Sequence, residues 1–328
     1  MLSSQFAGCL LGGMIGDIAG AVVEAESPGY IRKTFKSVDD MLALEFVEEI
    51  LNQKWTVGRF TDDTQMTLCV AEWLLEDAEL GGKELLARFS EAYRPARRYG
   101  PSAARILESF PEHQQEWASL ATVAFPDGSY GNGSAMRVSP IGCFFYDDRK
   151  ALMKAANVSS RVTHTHTQAI QGATLQAGLV SAAVRALTVE QTLQELSNLL
   201  KPFANATVFE QALAQVAEGL KQGLRPSQMT DKLGTGTDAK ESVPMAIYCY
   251  LANLDSYEDT LKDSIFLGGD TDTIACMAGS ASGARLGQEA IPRRWLAKVR
   301  EETYTPGRVL RLAQDLHKKH VSLKSSAS

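Results

Sequence analysis

The chain has 328 residues, 45% of them apolar and 22% charged, the composition of a soluble globular protein with room for one large domain or two ordinary ones. Its formal net charge of −6 argues against nonspecific binding to nucleic acid or to an anionic membrane surface. The five cysteines (Cys9, Cys69, Cys143, Cys249, Cys276) are odd in number and scattered without zinc spacing, so they read as buried thiols of a reducing compartment.

Residues 6–23 form a nearly apolar stretch in which Gly8, Gly12, Gly16 and Gly20 recur every four residues and Asp17 sits midway. No Lys or Arg precedes Arg32, so the positive segment of a secretory signal is missing. A closely packed, buried helix is expected rather than a membrane span, and with it a cytoplasmic location. Glu24 closes the stretch, just before the helix-breaking Ser27-Pro28-Gly29.

Next comes Phe60-Thr61-Asp62-Asp63-Thr64-Gln65, followed by Met66, Cys69, Val70, Trp73 and Leu74 on one helical face. Arg94, Arg97 and Arg98 form the densest basic stretch and read as a solvated helix face. The glycine-rich run Asp127-Gly128-Ser129-Tyr130-Gly131-Asn132-Gly133-Ser134 reads as an ordinary turn or as a cradle of backbone amides for a diphosphate. Val138 to Phe145 is too broken by Gly and Pro for a strand.

Thr163-His164-Thr165-His166-Thr167 brings two histidines to one side only if the segment is extended; a single ligand-contacting histidine is expected. Small residues recur again at Ala169, Ala173 and Ala177 and at Gly279, Gly283 and Gly287, so an all-helical core with close backbone approach follows. Leu233-Gly234-Thr235-Gly236-Thr237 is a second glycine-rich turn, and residues 186–232 are amphipathic helix without a site-like cluster. No linker or repeat splits the chain. One domain is expected over residues 1–320, with 321–328 as a disordered polar tail.

The second acidic cluster is Gly268-Gly269-Asp270-Thr271-Asp272-Thr273. Taken alone, each cluster also reads as a helix start: Asp62 to Gln65 has the spacing of a capping box, and carboxylates favour the positive end of the helix dipole. Together they hold four carboxylates and several hydroxyls where a cap needs one oxygen. So much negative charge in one place repels itself unless neutralised. Oxygen-only donor sets suit a hard divalent cation, magnesium before zinc or copper.

These motifs resemble the ADP-ribosylglycohydrolase family, which includes the dinitrogenase reductase-activating glycohydrolase and the ADP-ribosyl-acceptor hydrolases. The resemblance spans Gly8 to about His317. It rests on Gly8-Cys9-Leu10 with Gly16-Asp17, Phe60 to Gln65, Gly128 to Arg137, Thr163-His164, Glu241 to Tyr248, and Leu267 to Ala275. The glycine-rich run and the second acidic cluster look most like the ADP-ribosyl-serine hydrolase branch.

The resemblance implies a single compact orthogonal all-α bundle with a dinuclear magnesium site at helix N-termini. Thr61, Asp62 and Asp63 would bind one Mg2+ and Glu24, Asp270 and Thr273 the other, with Asp272 bridging. Asp127, Gly128, Ser129, Tyr130, Gly131, Asn132 and Gly133 would hold the diphosphate and adenosine side, His164 would touch substrate, and Thr237 would line the adenosine end. His166, Pro101-Ser102 and Thr237 depart from the branch pattern, and none is an implied metal ligand.

The expected reaction is cleavage at the anomeric carbon of the distal ribose, with Asp62 or Asp63 as acid–base partner and Glu24 as a gating ligand. The substrate would be an ADP-ribosylated protein or a small ADP-ribose conjugate, O-linked before arginine-linked, handled by a monomer. A dinuclear-metal phosphohydrolase could use the same carboxylates, and a non-catalytic ADP-ribose-binding protein is the third reading.

Overall fold

The computed structural model describes residues 2–48, 54–76 and 79–327. Among them are eighteen α-helices and one antiparallel hairpin, β1 (Phe46–Glu48) with β2 (Lys54–Thr56), paired Val47 to Trp55. The fold is all-α, as the small-residue stripes and the absence of period-2 runs require. Seven of these helices are α1 (Leu2–Gly20), α2 (Asp62–Glu76), α3 (Arg149–Arg161), α4 (Thr167–Val184), α5 (Ala239–Ala252), α6 (Thr271–Leu286) and α7 (Pro306–Ala327).

The centre of the molecule is the antiparallel pair α1 and α6. Gly8, Gly12 and Gly16 lie against the backbone of Gly283, Gly279 and Ala275, and Gly20 against Thr271 and Asp272, in steps of four residues on both helices. A Cβ on any of these four glycines would overlap a backbone atom of α6. The stripe therefore sets how close the helices come, and with it where the start of α6 stands relative to the end of α1. Both helices are buried almost along their whole length. The apolar first segment is thus a core helix, and no helix among the described residues is long and apolar enough to cross a membrane.

Around this pair α2 buries Met66, Cys69, Val70, Trp73 and Leu74, and α4 buries Ala169, Ala173 and Ala177, the faces expected from their spacing. All five cysteines are buried and unpaired. One hydrophobic cluster connects Phe6 in α1 to Leu316 in α7.

Two expectations change. Residues 321–327 continue α7 as helix rather than forming a disordered tail, while Ser328 lies outside the described residues. Lys324 reaches Asp147 at 3.0 Å and Ser325 Oγ donates to the Val321 carbonyl, so the polar composition is that of an exposed helix end. The basic stretch is not a solvated helix face either. Residues 95–97 form a single 3-10 turn, and the side chains of Arg97 and Arg98 are only 13% and 19% exposed.

Candidate functional site

Helix α2 begins at Asp62, and its first amides need acceptors. The capping-box reading would use Asp62 and Gln65 for this, but the structure uses Asp17 from α1. The Asp17 carboxylate, fully buried, accepts from the backbone N–H of Thr61 and Thr64 (both 3.0 Å to the nearer oxygen) and from the hydroxyls of Thr61 (2.9 Å) and Thr64 (2.5 Å). Gln65 instead accepts from the Tyr99 hydroxyl at 2.8 Å. Asp62 and Asp63 are thereby released from capping and face a cleft. Burial raises the Asp17 pKa and these hydrogen bonds oppose the rise.

At the other side α6 begins at Thr271, with Asp270 in the N-cap position but not capping. Its carboxylate accepts from the Asn132 amide, which also donates to Ser242 Oγ at 3.0 Å. Asn132 thus ties the glycine-rich run to the acids. Oxygens of Glu24, Asp270 and Asp272 lie within 4.8 Å of one another. Thr273 Oγ1 and Thr61 Oγ1 each stand 3.3 Å from Asp63 Oδ2, so Asp63 joins the two sequence clusters.

The carboxylates of the cleft oppose one another's ionisation. Asp62, Asp63 and Asp272 are held well above the usual carboxylate range, first by burial and then by neighbouring carboxylates. Asp270 is raised by burial, against hydrogen bonds that favour its charged form. Asp63 Oδ1 is buried without a hydrogen-bond partner, a costly state for a carboxylate oxygen. The Thr61 hydroxyl proton has a nearer acceptor in Asp17 than in Asp63, so two oxygens face each other across 3.3 Å. An orphaned oxygen among hard donors fits a magnesium-like cation.

The cleft has a volume of about 290 Å³. Its wall includes Glu24, Asp62, Asp63, Asp270, Asp272 and Thr273 on the acidic side, and Ser129, Gly131, Asn132, Gly133, His164 and Thr237 opposite. Asp127, Gly128 and Tyr130 do not line it. Asp127 and Tyr130 are exposed, and Gly128, at φ 79°, packs on Thr165 and His166. Thr61 is also set back, behind Asp63. The two glycine-rich segments meet: Asn132 N–H donates to the Thr237 carbonyl at 2.9 Å, and Asp270 N–H donates to the Thr235 carbonyl at 2.8 Å.

His164 and His166 serve different ends. His166 caps α4, its Nδ1 accepting from Gln168 N–H at 3.2 Å, and it meets the Tyr130 ring edge-on. His164 is buried at the cleft wall, its pKa lowered to about 3 by burial and then by Arg137.

Three residues of this neighbourhood were not singled out as functional from the sequence. Asp17 is the first. Arg98 is the second: it stands in the left-handed region (φ 62°), donates to the Ala21 carbonyl at 2.9 Å and to Glu24 at 3.0 Å, and covers the Trp55 ring at 4.2 Å. Arg97 is the third, pairing bidentately with Glu301 while donating to the Phe60 carbonyl, which fixes the entry to α2. Only a surplus of charge in residues otherwise read as surface or helix interior could have flagged them.

A family model, ADP-ribosylglycohydrolase, matches residues 1–324. The chain belongs to the ADP-ribosylglycohydrolase family. It is therefore a hydrolase of ADP-ribose conjugates. It is 32% identical to the ADP-ribosylhydrolase ARH3 of Mus musculus over 96% of this chain and 91% of that protein. Against the ADP-ribosylhydrolase ARH3 of Homo sapiens the figures are 30%, 96% and 93%. A solved ADP-ribosylglycohydrolase-related protein complex superposes with a TM-score of 0.73 at 25% identity, covering 97% of this chain and 99% of that one. The family resemblance read from the acidic clusters and the glycine-rich run is borne out.

Proposed function

We propose that the chain is a magnesium-dependent hydrolase that releases ADP-ribose from an oxygen-linked acceptor by cleaving the bond at the distal ribose anomeric carbon. The observation that carries this is the convergence of two distant acidic clusters on one cleft, with a buried carboxylate oxygen of Asp63 left for a cation.

Two magnesium ions would be held by Thr61, Asp62 and Asp63 on one side and by Glu24, Asp270 and Thr273 on the other, with Asp272 shared. When bound, they supply fixed positive charge for the ribose hydroxyls and for a water beside the anomeric carbon. The chain's own groups do the rest. Ser129, Gly131 and Gly133 of the glycine-rich run face the diphosphate, Thr237 lines the adenosine end, and His164 touches substrate. Asp62 or Asp63 is the acid–base partner that moves the proton for the leaving oxygen. Glu24 is the mobile member, since Arg98 offers its carboxylate a second partner. Product analysis tests the reaction: free ADP-ribose is expected, whereas phosphate or nucleotide would establish a phosphohydrolase instead, and no turnover a binding protein.

Oxygen-linked conjugates, on serine or an acetyl group, are expected to react faster than arginine-linked ones. Arg98 lines the same cleft, and its guanidinium disfavours a second guanidinium as acceptor. Competition between the two linkages in one assay decides it; faster release from arginine would reverse the assignment and leave the family membership intact.

Metal and pH act together on stability. Asp62, Asp63 and Asp272 have folded pKa values above their unfolded ones, so without metal the folded state binds protons preferentially. Stability then falls as pH rises from the ordinary carboxylate range, about 4, through the raised values. Metal-free protein is expected to melt lower at pH 8 than at pH 5.5. Magnesium at about 100 times its Kd should add about 2.7 kcal/mol, with the larger melting shift at pH 8. A magnesium shift that is absent, or greater at pH 5.5, would count against the dinuclear proposal.

A further inference from the structure

Arg137 is fully buried, and among the described residues no carboxylate comes within ion-pair distance of it. Its guanidinium lies over the Phe89 ring at 4.7 Å and donates from Nη2 to the Ser159 carbonyl and to Thr163 Oγ1, the latter at 2.8 Å. Thr163, 1% exposed, is 2.7 Å from His164 Nδ1. Counting protons along this line fixes each one. A guanidinium has donors only, so Thr163 Oγ1 accepts from Arg137. Among the described residues, the acceptor then within reach of the Thr163 hydroxyl proton is His164 Nδ1. A neutral imidazole that accepts at Nδ1 carries its proton at Nε2.

We infer that Arg137 and Thr163 are positioning residues that lock His164 as the Nε2–H tautomer, so that it presents a single hydrogen-bond donor to a substrate oxygen in the cleft. Nε2 stands beside the glycine-rich run: a Cβ on Gly133 would come 3.0 Å from it and one on Gly131 3.7 Å. Glycine at 133 keeps the donor uncovered. Neither ring nitrogen then offers a lone pair to the cleft, so His164 is not a metal ligand or a general base there. Its chemistry is complementary to the acids opposite, which can only accept when ionised.

The substrate contact rests on the ADP-ribose reading; the tautomer does not. The test is therefore a long-range 15N–1H spectrum of the labelled full chain without substrate, followed by kinetics on an ADP-ribose conjugate. His164 is expected with protonated Nε2 and unprotonated Nδ1 at neutral pH. Thr163→Val is expected to give mixed tautomers and a rise in KM of about tenfold, the worth of one hydrogen bond to a charged oxygen, with magnesium affinity unchanged. Thr163→Ser should restore both the spectrum and KM. A protonated Nδ1 in the unmodified chain, or Thr163→Val with the pure Nε2–H form and ordinary KM, overturns the inference. Should Thr163→Val not fold, the unmodified chain and Thr163→Ser still decide it, since both must show protonated Nε2. Absence of turnover with the expected spectrum would refute the ADP-ribose reading alone.

Discussion

Asp272→Asn is expected to lower turnover on the order of 10³-fold, the scale of losing a central electrostatic contact in a water-poor site. Asp272 sits in the first turn of α6, its pKa raised first by burial and then by Glu24, Asp63, Asp270 and Asp17, so it faces both halves of the acidic set. If Asp272 is shared by two cations as proposed, no neighbour can replace it, and a neutral amide is the weaker ligand for a hard cation. Glu24 stands differently. Its side chain is 35% exposed and already partnered by Arg98, so Glu24→Gln should cost on the order of 10- to 100-fold, the scale of a supporting contact. Calorimetric magnesium titration beside turnover separates the two. If Asp272→Asn binds two ions as tightly as the parent and turns over normally, the bridge is misassigned.

Much of this ordering was legible in the chain because the signals were local. Glycine every four residues in α1 and small residues in α6 specify a close helix pair, and the acidic clusters announce themselves by composition. What was not legible joins distant positions. Asp17 and Thr61 are 44 residues apart, Arg98 and Glu24 are 74 apart, and Arg97 and Glu301 are 204 apart. No periodicity links such pairs, so Asp62 to Gln65 reads as its own cap until Asp17 is seen to hold the α2 amides. The same blindness covers Arg137, which composition alone gives as one more basic residue and the fold makes a buried cation setting a histidine proton. Nor does continuity of the glycine-rich run tell which of its members face the cleft: Asp127 and Tyr130 are exposed, while Ser129, Gly131, Asn132 and Gly133 line it.

Gly16→Ala should damage the site through the backbone. The new methyl would overlap the carbonyl of Ala275 in α6, and the nearest atoms are all main chain, so no side chain can yield. Overpacking of a rigid contact costs about 3 kcal/mol, which lowers the melting temperature of a chain this long by roughly 4–5 °C. Gly8→Ala meets an equally unyielding partner, Gly283, at the far end of the same helix pair. The two variants should therefore lose similar stability and differ in function. Gly16 lies opposite Ala275 and precedes Asp17, while Asp270, Asp272 and Thr273 sit within two turns of Ala275 at the start of α6. Forcing the helices apart there moves the Asp17-held start of α2 relative to the start of α6, and so separates Asp63 from Thr273. Magnesium affinity is expected to fall at least tenfold in Gly16→Ala and to change little in Gly8→Ala, both measured well below their melting temperatures. Equal affinities in the two variants would mean that the stripe stabilises the fold without setting the spacing of the acidic clusters.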